Sequence, residues 1–334
     1  MGIFRTIGFK FAMLADIFYT KRYIGMFEEN VILKNHSNYK IGGPAKFFLR
    51  AKNVDEISKG VEKARQAKER IFILGGGTNV LFSDEIFNGL VLKPEINFIK
   101  KEDDLVKVGA GTSMDELVDY FLEKGIGGLE WAAGLPGTLG GAVRGNAGAF
   151  CGETKNAVKE VISLDISKLK TKIIRRTADE CEFFYRSSIF KSNSSREIIL
   201  EATLFAPKGD KKEMRDIAEK NIKYRIEKQP LEYPSIGSTF KNVPLEQMKK
   251  IDENMKSKIK TDPFPIIPVA YLISEAGLKG ISYGGAMVSS KHPNFIVNAL
   301  DATANDVKSL ILLVKNEVYK KFKVKLEEEI EYLA

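Results

Sequence analysis

The sequence predicts an α+β fold, and three observations carry that assignment. Helical and strand periodicities both recur along the chain. They do not alternate as a regular βαβ array. The chain has 334 residues, 44% hydrophobic and 29% charged, which is enough apolar material for cores in more than one domain. The same arithmetic excludes several classes. Two cysteines, Cys151 and Cys181, exclude a disulfide scaffold and a four-thiolate zinc site. Two histidines, His36 and His292, exclude a multi-histidine metal centre, and no metal is expected. The net charge of +8 suits an anionic ligand but, taken alone, is better explained by a Lys-rich surface.

Residues 1–27 read apart from the rest. The stretch Ile7–Phe18 is apolar but broken by Lys10 and Asp16. It falls short of the roughly 20 apolar residues a spanning helix needs, and its flanks fit a signal peptide poorly. An amphipathic helix packed on the body is favoured over a membrane-surface helix with Arg5, Lys10, Lys21 and Arg22 outward. Met26 is an alternative start. Without an exported segment the expected location is the cytoplasm, which two free thiols also suit.

The remaining elements follow in order. Apolar spacing predicts a helix over 54–69, and Arg70–Leu74 is a short strand that runs into Gly75-Gly76-Gly77. Leu90–Lys93 and Leu105–Gly109 are further strands. Ser113 and Glu116 form a capping box for a helix to about Lys124. Gly125–Gly152 is Gly-rich and nearly free of charge. Strand signals return at 160–176 and 197–205, and 210–227 is helical in period. A turn-rich stretch, Pro230–Pro244, precedes a helix at Val269–Ala276, a loop at Gly277–Gly285 and a strand at Phe295–Asn298. Residues 302–321 form an amphipathic helix with Val307, Leu310, Ile311, Val314 and Val318 on one side. Val324–Leu333 alternates, with Val324, Leu326, Ile330 and Tyr332 on one face and Glu327, Glu329 and Glu331 on the other.

Three sets of residues could carry chemistry. The first is Ile41-Gly42-Gly43-Pro44-Ala45 followed by Gly75-Gly76-Gly77-Thr78-Asn79. Glycines let backbone N–H groups converge into an anion-binding nest, although a lone Gly-rich loop is more often a tight turn. It matches neither the dinucleotide fingerprint nor the Walker loop. The second is the stretch 127–152, which holds no acid, base or nucleophile pair suited to hydrolysis. So many glycines oppose ordering unless backbone must approach something closely, and a large planar cofactor wrapped by main chain accounts for them. The third is scattered: Tyr185-Arg186 up to Lys191, Gly237-Ser238 up to Asn242, Leu272–Gly280, and Glu329. Each is weak alone. Arg186 could be a surface ion-pair partner, Ser238 a turn hydroxyl, and Glu329 part of a solvated acidic face.

Taken together and in order, from about Asn35 to Leu333, these segments resemble the UDP-N-acetylenolpyruvoylglucosamine reductase family, flavoenzymes of bacterial cell-wall precursor synthesis. The matching segments are Asn35–Ala45, the Gly75–Asn79 loop, Gly134–Ala142 with Asn146–Gly148, Tyr185-Arg186, Gly237-Ser238 with Phe240–Asn242, and Leu326–Ile330. The resemblance implies a two-subdomain FAD-binding fold of the vanillyl-alcohol-oxidase type plus an α+β substrate-binding domain. On that pattern residues 1–27 are an extension, 28–207 the FAD region (28–97 and 98–207), 208–317 the substrate-binding domain, and 318–334 a segment returning to the FAD region. It implies non-covalent FAD held by Ile41, Gly42, Gly75, Gly76, Gly77, Thr78 and Asn79, and by Gly134, Pro136, Gly137, Thr138, Gly141, Ala142, Asn146, Ala147 and Gly148. NADPH is the implied co-substrate, and a nucleotide sugar the implied substrate.

The resemblance further assigns catalysis to Arg186, Ser238 and Glu329, and substrate binding to Tyr185, Lys228 and Asn242. Only about 50 residues separate Arg186 from Ser238, so the chain resembles the shorter family type, without an extra substrate-capping segment. Val243 stands between Asn242 and Pro244 where the family usually places Pro directly after Asn. Glu327, Glu328 and Glu329 compete for the acidic role, and the resemblance implies Glu329 by its spacing to Leu326 and Ile330 in the family pattern; the alternation puts Glu327 and Glu331 on the same face. A monomer is expected, with no nucleic-acid partner. The competing readings are another FAD-dependent sugar or alcohol oxidase of the same cofactor fold, and a non-catalytic nucleotide-sugar binder.

Overall fold

The computed structural model describes residues 25–334 apart from 169, 193–195 and 263. The expected helix within residues 7–18 lies outside the described residues.

The first portion is a mixed sheet. β1 (Glu28–Ile32) pairs antiparallel with β2 (Pro44–Ala51). Helix α1 (Val54–Gln66) starts where Asn53 accepts from the Glu56 N–H at 2.9 Å. It buries Ile57, Val61 and Ala64, the apolar stripe its spacing predicts. β3 (Arg70–Ile73) leads through the glycine loop to β4 (Val80–Phe82) and then β5 (Phe87–Pro94). β5 lies between β2 and β3, parallel to both. Leu90, Val91 and Leu92 are all fully buried, as a strand covered on both faces requires.

The second portion is an antiparallel sheet. β6 (Ile99–Glu102) and β7 (Leu105–Gly109) precede α2 (Met114–Lys124). Ser113 caps α2, and Gly125 closes it at φ 67°. The reciprocal arm of the predicted capping box is diverted, because the Glu116 carboxylate accepts from Asn97 Nδ2 at 3.2 Å. The Gly-rich stretch holds a helix that composition hides, α3 (Leu139–Gly145), opened by Thr138 and closed by Asn146 at φ 42°. β8 (Gly148–Ala149) and β9 (Gly152–Glu153) form a small pair. β10 (Val158–Asp165), β11 (Lys172–Thr177), the short α4 (Ile189–Ser192) and β12 (Glu197–Phe205) follow. The sheet order is β11-β10-β12-β7-β6.

Helix α5 (Lys211–Lys228) belongs with this second portion. Its buried stripe, Met214, Ala218, Asn221 and Arg225, has helical spacing. Asn221 Nδ2 donates to Glu130 O at 3.1 Å and Arg225 Nε to Ala133 O at 2.9 Å. This helix, which stands at the start of the expected 208–317 portion, packs on the core of the second portion. Two polar side chains bonded to loop carbonyls hold it there.

The third portion has its own core. β13 (Val243–Pro244) pairs with β14 (Ile266–Ile267), with α6 (Glu253–Lys256) between them. α7 (Val269–Glu275) is followed by the sheet β15 (Ser282–Tyr283), β16 (Ala286–Val288) and β17 (Ile296–Asn298). β15 lies inside the stretch the sequence predicts as loop, too short to show a period. α8 (Ala304–Phe322) is capped by Thr303 and Asp306 reciprocally and buries the five predicted apolar residues. Tyr39, Ile41 and Leu81 from the first portion complete this core. No helix among the described residues is long and apolar enough to cross a membrane.

The chain returns at its end. Val324, Leu326 and Ile330 are buried, but Tyr332 is 39% exposed and Leu333 is buried. The predicted single alternation therefore breaks. Residues before Ile330 run beside Phe240, which bridges Glu328. β18 (Glu331–Leu333) then pairs parallel with β4 and takes its facing from that second partner.

Candidate active site

Two glycine loops pack against each other. A Cβ on Gly76 would lie 2.7 Å from Gly137 Cα, and one on Gly77 would lie 1.9 Å from His36 O. Only glycine permits this approach. Thr78 Oγ1 sits 3.1 Å from the corresponding point on Gly137. The N–H groups of Gly75, Gly76, Gly77 and Thr78 have no hydrogen-bond partner among the described residues. Successive unpartnered N–H groups form a nest for an anion, so these residues fit the diphosphate of a dinucleotide cofactor.

Beside this cradle lies a charged cluster. Arg186 occupies the left-handed region at φ 55°. Reciprocal bonds between Phe184 and Ser187, at 3.0 and 3.1 Å, hold that turn. The turn brings the guanidinium to one acceptor and one counter-charge. Nη2 donates to Gly148 O at 2.8 Å, and Nε forms an ion pair with Glu329 Oε1 at 2.8 Å. Tyr185 lies against the same guanidinium, 5.2 Å from its ring centre.

Main-chain pairing brings Ser238 to this cluster. Glu329 N–H donates to Thr239 O at 2.8 Å, and Lys241 N–H to Glu327 O at 2.9 Å. Asn294 locks the other side. Its carbonyl oxygen accepts from Thr239 N–H at 2.7 Å, and its buried side chain both donates to and accepts from the Phe240 backbone. The cradle reaches the same strand, since Asn79 Nδ2 donates to Glu329 O at 3.1 Å and Glu331 N–H to Asn79 O at 2.9 Å. Arg144 of α3 pairs with the Glu331 carboxylate.

The electrostatics follow from burial. Desolvation raises the Glu329 carboxyl above its ordinary pKa, while Arg186, Lys191 and Lys241 pull it back. Burial also raises the Tyr185 hydroxyl and lowers the Lys191 ammonium. The site can hold a carboxylate beside a guanidinium and a carboxyl that is easily protonated.

The sequence-predicted residues divide into groups. Arg186, Glu329 and the Ser238 loop converge, with Tyr185 and Asn242 beside them: Asn242 N–H donates to the Tyr185 hydroxyl at 3.4 Å, and Asn242 Oδ1 accepts from Val269 N–H. Gly75–Asn79, Gly134, Pro136, Gly137, Thr138 and Gly141 form the two loops and the start of α3. Three others have side chains buried or engaged elsewhere, and a fourth, Ala147, is engaged through its main chain. Ile41 and Ala142 are buried, Ala147 O accepts twice from Thr154, and Asn146 bonds Lys155 N–H and Phe184 O. Gly42 takes φ 141° against Phe82. Lys228 is exposed at the end of α5, and among the described residues no contact joins it to the cluster. Residues the sequence does not single out are Asn294, Lys241, Arg144 and Lys191. Lys191 and Lys241 fall within motifs and Arg144 within the Gly-rich stretch 127–152, whereas Asn294 carries no sequence signal; the partners of Arg144 and Asn294 are remote in the chain.

The α+β fold with its paired glycine loops defines an FAD-binding flavoprotein, and the FAD-binding domain pattern matches residues 45–175. The pattern for the C-terminal domain of UDP-N-acetylenolpyruvoylglucosamine reductase matches residues 229–333. The reductase of Lachnoclostridium phytofermentans is 37% identical over 316 residues, covering 91% of this chain and 92% of that relative. The reductase of Thermosipho melanesiensis is 38% identical over 303 residues, covering 90% and 94%. The crystal structure of the Thermus caldophilus reductase superposes with a TM-score of 0.71 at 29% identity, covering 92% of this chain and all of that one. The chain belongs to the UDP-N-acetylenolpyruvoylglucosamine reductase family.

Proposed function

We propose that this chain reduces the enolpyruvyl group of UDP-N-acetylenolpyruvoylglucosamine to give UDP-N-acetylmuramate for peptidoglycan synthesis, with NADPH as the electron source. The observation that carries this reading is the convergence of Arg186, Glu329 and the Ser238 loop next to the glycine cradle. The Gly75–Asn79 loop and the main chain of 134–148, with Ile41 and Gly42, would hold FAD. Held there, FAD would supply the electron pair, as hydride, for the terminal alkene carbon of the substrate.

Hydride addition leaves negative charge on the neighbouring substrate carbon, shared with the carboxylate as an enolate. Arg186 presents a permanently charged planar fork to that carboxylate. A second anion beside Arg186 disfavours an ionised Glu329, whose burial already opposes charge. Glu329 therefore takes up a proton as substrate binds, and donates a hydrogen bond to the carboxylate. Both interactions strengthen as charge develops, which is what lowers the barrier. Ser238 Oγ then protonates the enolate carbon as general acid. A serine is a weak acid, so its placement by Asn294 and Glu329 matters more than its proton affinity. Tyr185, Asn242 and Lys228 take the rest of the nucleotide sugar. All three reacting groups come from one chain, so a monomer suffices, and a reaction that consumes NADPH suits the cytoplasm.

Anaerobic titration tests the reading. NADPH should bleach the yellow protein, and the enolpyruvyl nucleotide sugar should restore its colour in stoichiometric amount. Reduction of the flavin by a sugar alcohol, with no response to the enolpyruvyl compound, would make the chain an oxidase instead.

A further inference from the structure

Lys191 stands on α4 and is not used in the mechanism above. Its Nζ donates to the Arg186 carbonyl oxygen at 3.2 Å. That carbonyl belongs to the residue at φ 55°, a conformation disfavoured by about 1–2 kcal/mol for a residue with a Cβ. Burial works against the Lys191 ammonium. A neutral donor could bond the carbonyl without that penalty. What the positive charge adds is an interaction with the facing strand, where Glu329 and Glu331 stabilise it against the opposing charges of Arg144 and Lys241. Seen from the other side, the cations facing Glu329 are Arg186, Lys191 and Lys241.

We propose that Lys191 is a positioning residue for the reduction, holding the turn that aims Arg186 and supplying, with its ammonium, one of the three cations that face Glu329. The proposal rests on the roles given above to Arg186 and Glu329. In the substrate-free enzyme, Lys191 favours ionised Glu329. Substrate entry requires that carboxylate to take up a proton, so kcat/KM falls as pH rises through the Glu329 titration. Without the ammonium, Glu329 holds its proton to higher pH, and the alkaline limb moves upward.

The pH dependence of kcat/KM for the enolpyruvyl nucleotide sugar tests this, in holoenzymes whose flavin spectrum and Tm confirm folding. Lys191→Met should move the alkaline limb up by about one pH unit and lower the plateau about tenfold, as expected for a lost hydrogen bond. Lys191→Gln keeps a donor for the Arg186 carbonyl and loses the charge. It should move the limb and largely keep the plateau, and it carries the test should Lys191→Met not fold. Lys191→Arg should leave the limb in place. A limb unmoved in both neutral variants, or moved equally in Lys191→Arg, overturns the proposal. So does a limb that persists in Glu329→Gln, because it then belongs to another group. Wild-type enzyme that does not reduce the compound at all overturns the underlying reading itself, an outcome distinct from a limb that fails to move.

Discussion

Gly76 and Gly145 are both glycines of the cofactor region, yet the structure assigns them opposite tolerance. A Cβ on Gly76 would sit 2.7 Å from Gly137 Cα, where backbone must move, whereas a Cβ on Gly145 would meet nothing within 4 Å. Gly76→Ala should part the two loops and lower the bound flavin per chain by at least about tenfold, whereas Gly145→Ala should keep full flavin and gain a few tenths of a kcal/mol from helix propensity. The flavin absorbance of the purified proteins and their Tm decide it. Ser238 is a separate case, since its side chain has no hydrogen-bond partner among the described residues and removing Oγ disturbs no packing bond. Ser238→Ala should slow reoxidation of the reduced flavin by substrate about 10²–10⁴-fold, the range for a lost general acid, while reduction by NADPH stays near the wild-type rate. Stopped-flow absorbance separates the two half-reactions, and equal loss in both would remove Ser238 from the proton-donor role.

At the level of elements, what could be read from the sequence follows from how local the determining physics is. Helices α1, α2, α5 and α8 are set by caps and spacing within one window, and they fall where the sequence predicts. α3 is hidden, because Leu139–Gly145 contains three glycines and owes its helix to Thr138 at the start and Asn146 at the end. The facing of Tyr332 is hidden for a different reason: the chain changes partner between Glu328 and Glu331, and a period-2 rule assumes one partner. The candidate site divides the same way. Arg186 and Glu329 stand in sequence motifs, but Asn294 and Arg144 matter only through contacts made across the fold. The caps also give a measurable expectation. Thr303 Oγ1 accepts from Asp306 N–H, and the Asp306 carboxylate accepts from Thr303 N–H at 2.9 Å and Gly285 N–H at 3.3 Å. Thr303→Ala should lower stability by about 1 kcal/mol, read as a drop in Tm. These backbone bonds, the Thr303 N–H first, hold the Asp306 carboxyl below its ordinary pKa. A lowered folded-state pKa adds stability above the unfolded pKa that disappears as pH falls through the folded value. Asp306→Asn should therefore destabilise at neutral pH, and its difference from wild type should shrink below about pH 4.

Across the whole molecule, the last four residues tie the glycine cradle to the strand that carries Glu329. β18 pairs with β4, which directly follows the glycine loop. Leu333 is buried with Leu74, Phe82 and Val91 in the first portion, and Ser83 N–H donates to Leu333 O at 2.8 Å. Arg144 pairs with Glu331 from the far side of the cradle. The core of the third portion does not include these residues, since it closes on Val324, Leu326 and Ile330. Deleting residues 331–334 should therefore leave that core folded but release the strand from the cradle two residues after Glu329. Two losses are expected together. Flavin affinity should fall, because Asn79 loses the Glu331 N–H donor and Arg144 loses its partner. Reoxidation by substrate should fall by more than about 100-fold even at saturating FAD, because a 1 Å displacement of a reacting group costs about that much. Circular dichroism should report a folded chain, and flavin fluorescence with stopped-flow absorbance should report the two losses. If saturating FAD restored full turnover, β18 would serve cofactor retention alone and Glu329 would be held sufficiently by its bonds to Thr239 and Asn79.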